Sequence, residues 1–166
     1  AILVAAVFVS SAVQAATTAV NGYAWSDNIG WIDMAPASGG VAIDNSTGSF
    51  SGYAWSDNIG WIDFGPTSGF PSSPSYGAKL DSISGQVSGW AKAVAGGVAG
   101  WDGWISMRGT SPAYGVNVDK TTGAFSGYAW GADVVGWVDF SKVTTSAVTP
   151  PPPPPVAVIV PKTEFS

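Results

Sequence analysis

The sequence predicts an all-β protein: four tandem three-stranded antiparallel units, stacked or closed on one another. Three observations predict it. Residues 22–34 (GYAWSDNIGWIDM) and 52–64 (GYAWSDNIGWIDF) are nearly identical, a looser copy spans 127–140 (GYAWGADVVGWVDF), and a degenerate copy lies between Gly89 and Met107. A small supersecondary unit has therefore been multiplied. Ahead of three copies stands one spaced register: Asp44, Thr47-Gly48 and Gly52; Asp81, Ser84-Gly85 and Gly89; Asp119, Thr122-Gly123 and Gly127. Within each unit apolar residues alternate with period two, and no run keeps a 3.6-residue period long enough to form a helix.

Taken in chain order, residues 1–20 carry no charge. They read either as a secretory signal, with Val13-Gln14-Ala15 as a small-residue cleavage site, or as a retained assembly arm of helix or strand. Its apolar residues are Ala1, Ile2, Leu3, Val4, Val7, Phe8 and Val9. Both readings place the protein outside the cytoplasm. A repeat domain over 21–142 follows, with units at about 21–35, 41–65, 78–107 and 115–140.

Within a unit, the first strand ends at Asp44. The turn Asp44-Asn45-Ser46-Thr47-Gly48 is closed by the aspartate side chain, with glycine in the left-handed position. A second strand is expected over 49–55, a turn over 56–60 and a third strand over 61–64. Val41, Ile43, Phe50, Ile62 and Phe64 share one face with the small Gly52 and Ala54; Tyr53, Trp55, Trp61 and Asp63 share the other. A lone three-stranded sheet with two apolar faces is unstable in water, so the units must cover one another. The third unit departs from the pattern. Lys92 replaces a tryptophan, the turn after it grows to Ala93–Gly100, and a long connection, Gly65–Gly77, precedes it.

Residues 143–166 form a linker and a short final strand. Pro150–Pro155 is an unbroken proline run, a stiff spacer of roughly 19 Å at about 3.1 Å per residue. Val156, Val158, Ile159 and Val160 then supply a β-branched segment suited to a second assembly arm.

Composition removes several function classes. The net charge is −5 with only six basic residues, which is unlike the basic footprint that nucleic acid requires. Cysteine and histidine are both absent, so disulfides, thiolate chemistry and imidazole acid–base catalysis are unavailable. The carboxylates sit in repeated positions (Asp27 and Asp57; Asp44, Asp81 and Asp119; Asp33, Asp63 and Asp139), and repetition predicts equal environments rather than the split pair of a glycosidase. Asp44-Asn45-Ser46 lacks the acidic closing ligand of a calcium loop, and turn formation accounts for it. No catalytic residue, metal or cofactor is expected.

The aromatic residues admit two readings. Tyr23, Trp25, Trp31, Tyr53, Trp55, Trp61, Trp90, Trp104, Tyr128, Trp130 and Trp137 form either the inter-repeat core or a multivalent platform for sugar rings. The need of each unit to bury surface against its neighbour favours the core.

The wording Gly-Tyr-Ala-Trp-Ser followed by Asn-Ile-Gly-Trp-Ile, over residues 22–140, resembles uncharacterised repeats of exported bacterial surface proteins, including those of candidate-phylum bacteria. That resemblance implies an exported surface protein and carries no activity with it. The expectation is a secreted, non-enzymatic structural protein of the cell surface, a self-assembling subunit of a filament or layer whose partner is itself. The alternative is a glycan-binding adhesion module that takes cell-surface polysaccharide. A third option is a spacer module of a larger surface protein. Membrane contact is expected only through a retained N-terminal segment.

Overall fold

A computed structural model describes residues 16–98 and 100–146. The arm candidates (Ala1, Ile2, Leu3, Val4, Val7, Phe8 and Val9; Val156, Val158, Ile159 and Val160) and the Pro150–Pro155 run lie outside the described residues.

The strands are β1 (Thr17–Ser26), β2 (Gly30–Asp33), β3 (Gly40–Asp44), β4 (Phe50–Ser56), β5 (Gly60–Asp63), β6 (Lys79–Leu80), β7 (Val87–Ser88), β8 (Trp90–Ala93), β9 (Trp104–Ser106), β10 (Arg108–Thr110), β11 (Ala113–Val118), β12 (Phe125–Trp130), β13 (Trp137–Asp139) and β14 (Val143–Thr145). One helical turn, α1 (Ala132–Val135), interrupts the last repeat. The chain is all-β, as the alternation predicts. The exception, α1, places the fully buried Val135 in the core, and a four-residue turn is too short to show a helical period.

Eight strands close an antiparallel barrel in the order β12, β13, β1, β2, β4, β5, β8, β9 and back to β12. Each repeated motif folds as a hairpin of this ring: β1–β2, β4–β5, β8–β9 and β12–β13. Successive hairpins join through Asp33↔Trp55, Asp63↔Lys92, Ser106↔Trp130 and Asp139↔Trp25.

An eight-stranded barrel has an interior only wide enough for side chains to fill. The four hairpins fill it in layers. In each hairpin an alanine pairs with a β-branched residue: Ala24↔Ile32, Ala54↔Ile62, Ala91↔Ile105 and Ala129↔Val138, all buried. The next layer alternates around the ring. Val20 with Met34 and Val87 with Met107 stand between Phe50 with Phe64 and Phe125 with Phe140. Phe50 and Phe125 come from opposite hairpins and meet at 6.5 Å, edge to face, while each stacks on its own partner at 6.2 Å. Four phenylalanine pairs would overfill this layer, and overpacking costs about 1–3 kcal/mol per site. Alternation of Val/Met with Phe/Phe resolves the volume.

The ring is closed by its two ends. β3 runs beside β4 with Val41↔Gly52, and β11 beside β12 with Val116↔Gly127. Among the described residues, β14 takes the leading-strand position beside the first hairpin, with Val143↔Gly22 and Val20↔Thr145. The same main-chain bond recurs at all four places: Val41 N–H to Met34 O, Ala78 to Phe64, Val116 to Met107 and Val143 to Phe140, at 2.9–3.1 Å. Thr145 adds a side-chain bond from Oγ1 to Ala19 O at 2.9 Å. Strand structure thus runs from Thr17 to Thr145, past both edges of the expected 21–142 domain. Both ends leave the barrel beside the Asp44–Gly48 type of turn, because Thr17 pairs with Asp44 and Thr145 points the same way along β1.

Closure also explains the invariant glycine of the repeat. Gly22, Gly52, Gly89 and Gly127 have φ between +82° and +88°. A Cβ at Gly52 would lie 2.0 Å from Gly40 O on the leading strand, and the other three meet equivalent carbonyls at 2.0–2.2 Å. Gly97 also has positive φ (+95°), but open space around it. Gly52→Ala is expected to destabilise the barrel by about 3 kcal/mol through strain and backbone collision. Gly97→Ala should lose only about 1 kcal/mol from the dihedral alone. Urea denaturation of the two variants measures the difference; equal losses would remove the collision from the account.

Candidate functional site

The inner positions of each hairpin are taken by alanine and β-branched residues, so the neighbouring positions face outward. They carry the large aromatics. Tyr23 is 50 % exposed and Trp31 49 %, and Trp25, Tyr53, Trp55, Tyr128 and Trp137 are likewise exposed. Trp61, Trp90 and Trp130 are half-buried. Only Trp104, at 6 % exposure, is buried. The expectation that the indoles make the inter-repeat core is therefore corrected. The barrel has no room for them, and the rings form a belt around its outside.

The belt repeats one arrangement. Trp25 meets Trp31 at 4.6 Å and 63°, Trp55 meets Trp61 at 4.8 Å and 68°, and Trp130 meets Trp137 at 4.7 Å and 51°. In these three hairpins the tyrosine stands at 76–81° to the second indole, 6.1–6.4 Å away. Rings set edge to face make a V-shaped notch, not a flat platform. The outer wall is held by the repeat's own carboxylates: Trp25 Nε1–H donates to Asp27 Oδ1 and Trp55 Nε1–H to Asp57 Oδ1, both at 2.8 Å. This is why Asp follows two residues after the tryptophan in the two best copies.

Two notches are open. The first is a cleft of about 370 Å³ lined by Tyr23, Trp31, Asp57 and Lys142; the second, about 250 Å³, is lined by Ser38, Tyr53, Trp61 and Val94. The fourth is partly roofed by Tyr114, whose ring meets Trp137 at 5.0 Å.

The third is occupied. Here the Gly65–Gly77 connection lies over the aromatics: Phe70 packs on Trp104 at 5.5 Å, and Trp90 Nε1–H donates to Pro74 O at 2.8 Å. Lys92, in the place of a tryptophan, sets its ammonium 4.5 Å over the Trp104 ring, so a cation–π contact replaces the indole pair. Sequence reading singled out the length of the connection and Lys92, but not Phe70, Pro74, Tyr114 or Lys142. The Pro71-Ser72-Ser73-Pro74 spacing is the signal that could have found Pro74.

Arg108 is another residue that pattern reading passes over. Its guanidinium bonds Val87 O, Val116 O and Asn117 Oδ1 at 2.7–3.1 Å and ties β7 to β11. Burial pushes its pKa down.

The carboxylates are busy with the backbone. Asp33, Asp63 and Asp139 each accept from the amide two residues on at 2.8–2.9 Å. Ser46 Oγ–H and the Thr47 and Ser46 amides hold Asp44 below the ordinary carboxylate value. The Ser84 and Ile83 amides do the same for Asp81, and those of Thr122 and Thr121 for Asp119. Among the described residues no three carboxylates converge as a metal site would need, and no helix is long and apolar enough to cross a membrane. No protein-family model, curated protein or solved structure matches the chain.

The three turn aspartates set a pH dependence. Their folded pKa values lie below the ordinary 3.8, so their contribution is present above that value and is lost as pH falls below it. The melting temperature should hold from pH 8 to about pH 5 and then fall through pH 4 and below. The combined variant Asp44→Asn, Asp81→Asn and Asp119→Asn should flatten that acid limb. An unchanged limb would place the acid sensitivity elsewhere.

Proposed function

We propose that this is a non-enzymatic structural module of the cell exterior, a barrel of four three-stranded units that self-associates through the notches of its aromatic belt. The observation that carries the reading is the third notch: the occupant found on such a notch is a peptide segment of this same chain. Two equivalent notches stand open beside it. Only 10 % of the residues are charged, and a contiguous aromatic surface on so weakly charged a protein is typical of an interaction face. The edge-to-face geometry suits a narrow ridge inserted between rings better than a broad polymer laid across them. Repetition of one notch around the barrel gives several contacts per subunit, the requirement for an extended assembly.

Polysaccharide is the second reading. The observation in its favour is the first notch, where Asp57 and Lys142 stand beside Tyr23 and Trp31 and offer hydrogen-bonding groups to sugar hydroxyls.

Sedimentation velocity and electron microscopy of the full chain decide between them. Concentration-dependent oligomers are expected, and the double variant Trp31→Ala and Trp61→Ala should sediment as a monomer with unchanged far-ultraviolet circular dichroism. Monomers at every concentration, together with a tryptophan emission shift on adding soluble polysaccharide, would replace assembly by glycan binding.

A further inference from the structure

The third notch shows the chemistry that an open notch accepts. A segment reading Phe70-Pro71-Ser72-Ser73-Pro74 lies over it, and the indole N–H of Trp90 takes a carbonyl oxygen next to a proline ring. Trp90 occupies the tyrosine position of the other hairpins. Tyr23 and Tyr53 therefore stand where that donor stands, each beside an exposed or half-exposed indole. Aromatic grooves with a ring-borne donor are a general means of holding proline-rich chain. The ring faces pack between aromatics, the carbonyls are free acceptors because proline has no N–H, and little conformational entropy is lost.

The sequence holds one such ligand outside the described residues. Pro150–Pro155 is six prolines in a row, four residues beyond Ser146. We propose that the Pro150–Pro155 run of one copy seats in an open aromatic notch of a second copy, at Tyr23–Trp31 or Tyr53–Trp61. A second copy is the better host on geometric grounds. β14 carries the chain away from the notches, towards the turns at the opposite end of the barrel. Returning to the chain's own notch would require a reversal within the short segment 147–149. With one ligand and two open notches, each copy serves as donor and host at once, which permits head-to-tail association of successive subunits.

This inference rests on the assembly reading of the notches, and its test separates the two. The full chain is compared with a six-serine variant (Pro150→Ser to Pro155→Ser) by sedimentation velocity. A synthetic peptide of residues 149–156, TPPPPPPV, is then titrated into the variant with tryptophan emission as readout. The variant should be monomeric. The peptide should give a saturable emission change, weakened about tenfold or more when Trp31→Ala and Trp61→Ala are added. The same peptide in excess should dissolve wild-type oligomers. Oligomers that persist in the six-serine variant would overturn the proline run as ligand while leaving aromatic assembly in place. A monomeric wild type would overturn both. An emission change with soluble polysaccharide but none with the peptide would also overturn it, assigning the notches to sugar.

Discussion

Everything in the barrel depends on the pairing of β13 and β14 with β1. Each repeated hairpin presents one inward face of alanine and β-branched residues, and none can bury that face alone. Burial comes only when four hairpins surround a common axis, and a ring of four has one seam that chain connectivity does not supply. β13 and β14 against β1 make that seam, with Asp139 opposite Trp25, Val143 opposite Gly22 and Thr145 opposite Val20. The β14 pairing repeats the one that β3 makes with β4 inside the chain. Among the described residues, the leading-strand position of the first copy is filled by β14, from the other end of the domain. Loop-closure entropy opposes such a long-range contact, and it is met only once the whole inner layer is buried.

Closure then dictates the outside. With eight strands, the interior holds one alanine and one β-branched residue per hairpin, topped by alternating Val/Met and Phe/Phe pairs. Strand geometry sends every second residue outward. The nine tryptophans and five tyrosines are too large for the remaining volume, so most of them form the belt. The belt is consequently a product of the same constraint that makes the core, and its notches recur because the hairpins do. The third hairpin shows how the chain itself covers such a surface: Phe70, Pro74 and Lys92 each find an aromatic partner.

Much of the local structure was legible in the sequence. The hairpins, the turn role of Asp44, Asp81 and Asp119, and the sorting of Val41, Ile43, Phe50, Ile62 and Phe64 to one face follow from period, turn chemistry and spacing, all of which act within a few residues. The destination of the second face was not legible. Tryptophan is read as core because each unit must bury surface against its neighbour, and the error lay in volume, which depends on how many strands close the ring. Closure itself depends on residues 125 apart, Val20 and Thr145, for which alternation gives no signal. The draping of residues 65–77 over Trp90 and Trp104 is likewise a tertiary event. The length of that connection marked the place without showing the contact.

The central claim is that the barrel is one closed, cooperative ring whose seam is as firm as its internal joints. Native-state hydrogen exchange tests it most directly at two comparable amides: Tyr23, bonded to Lys142 O across the seam, and Trp90, bonded to Tyr76 O inside the chain, each at 3.2 Å. A closed ring predicts that Tyr23 exchanges with the same high free energy as Trp90, near that of global unfolding. Early, separate release of Tyr23 would show an open array whose ends merely touch, and would contradict the account.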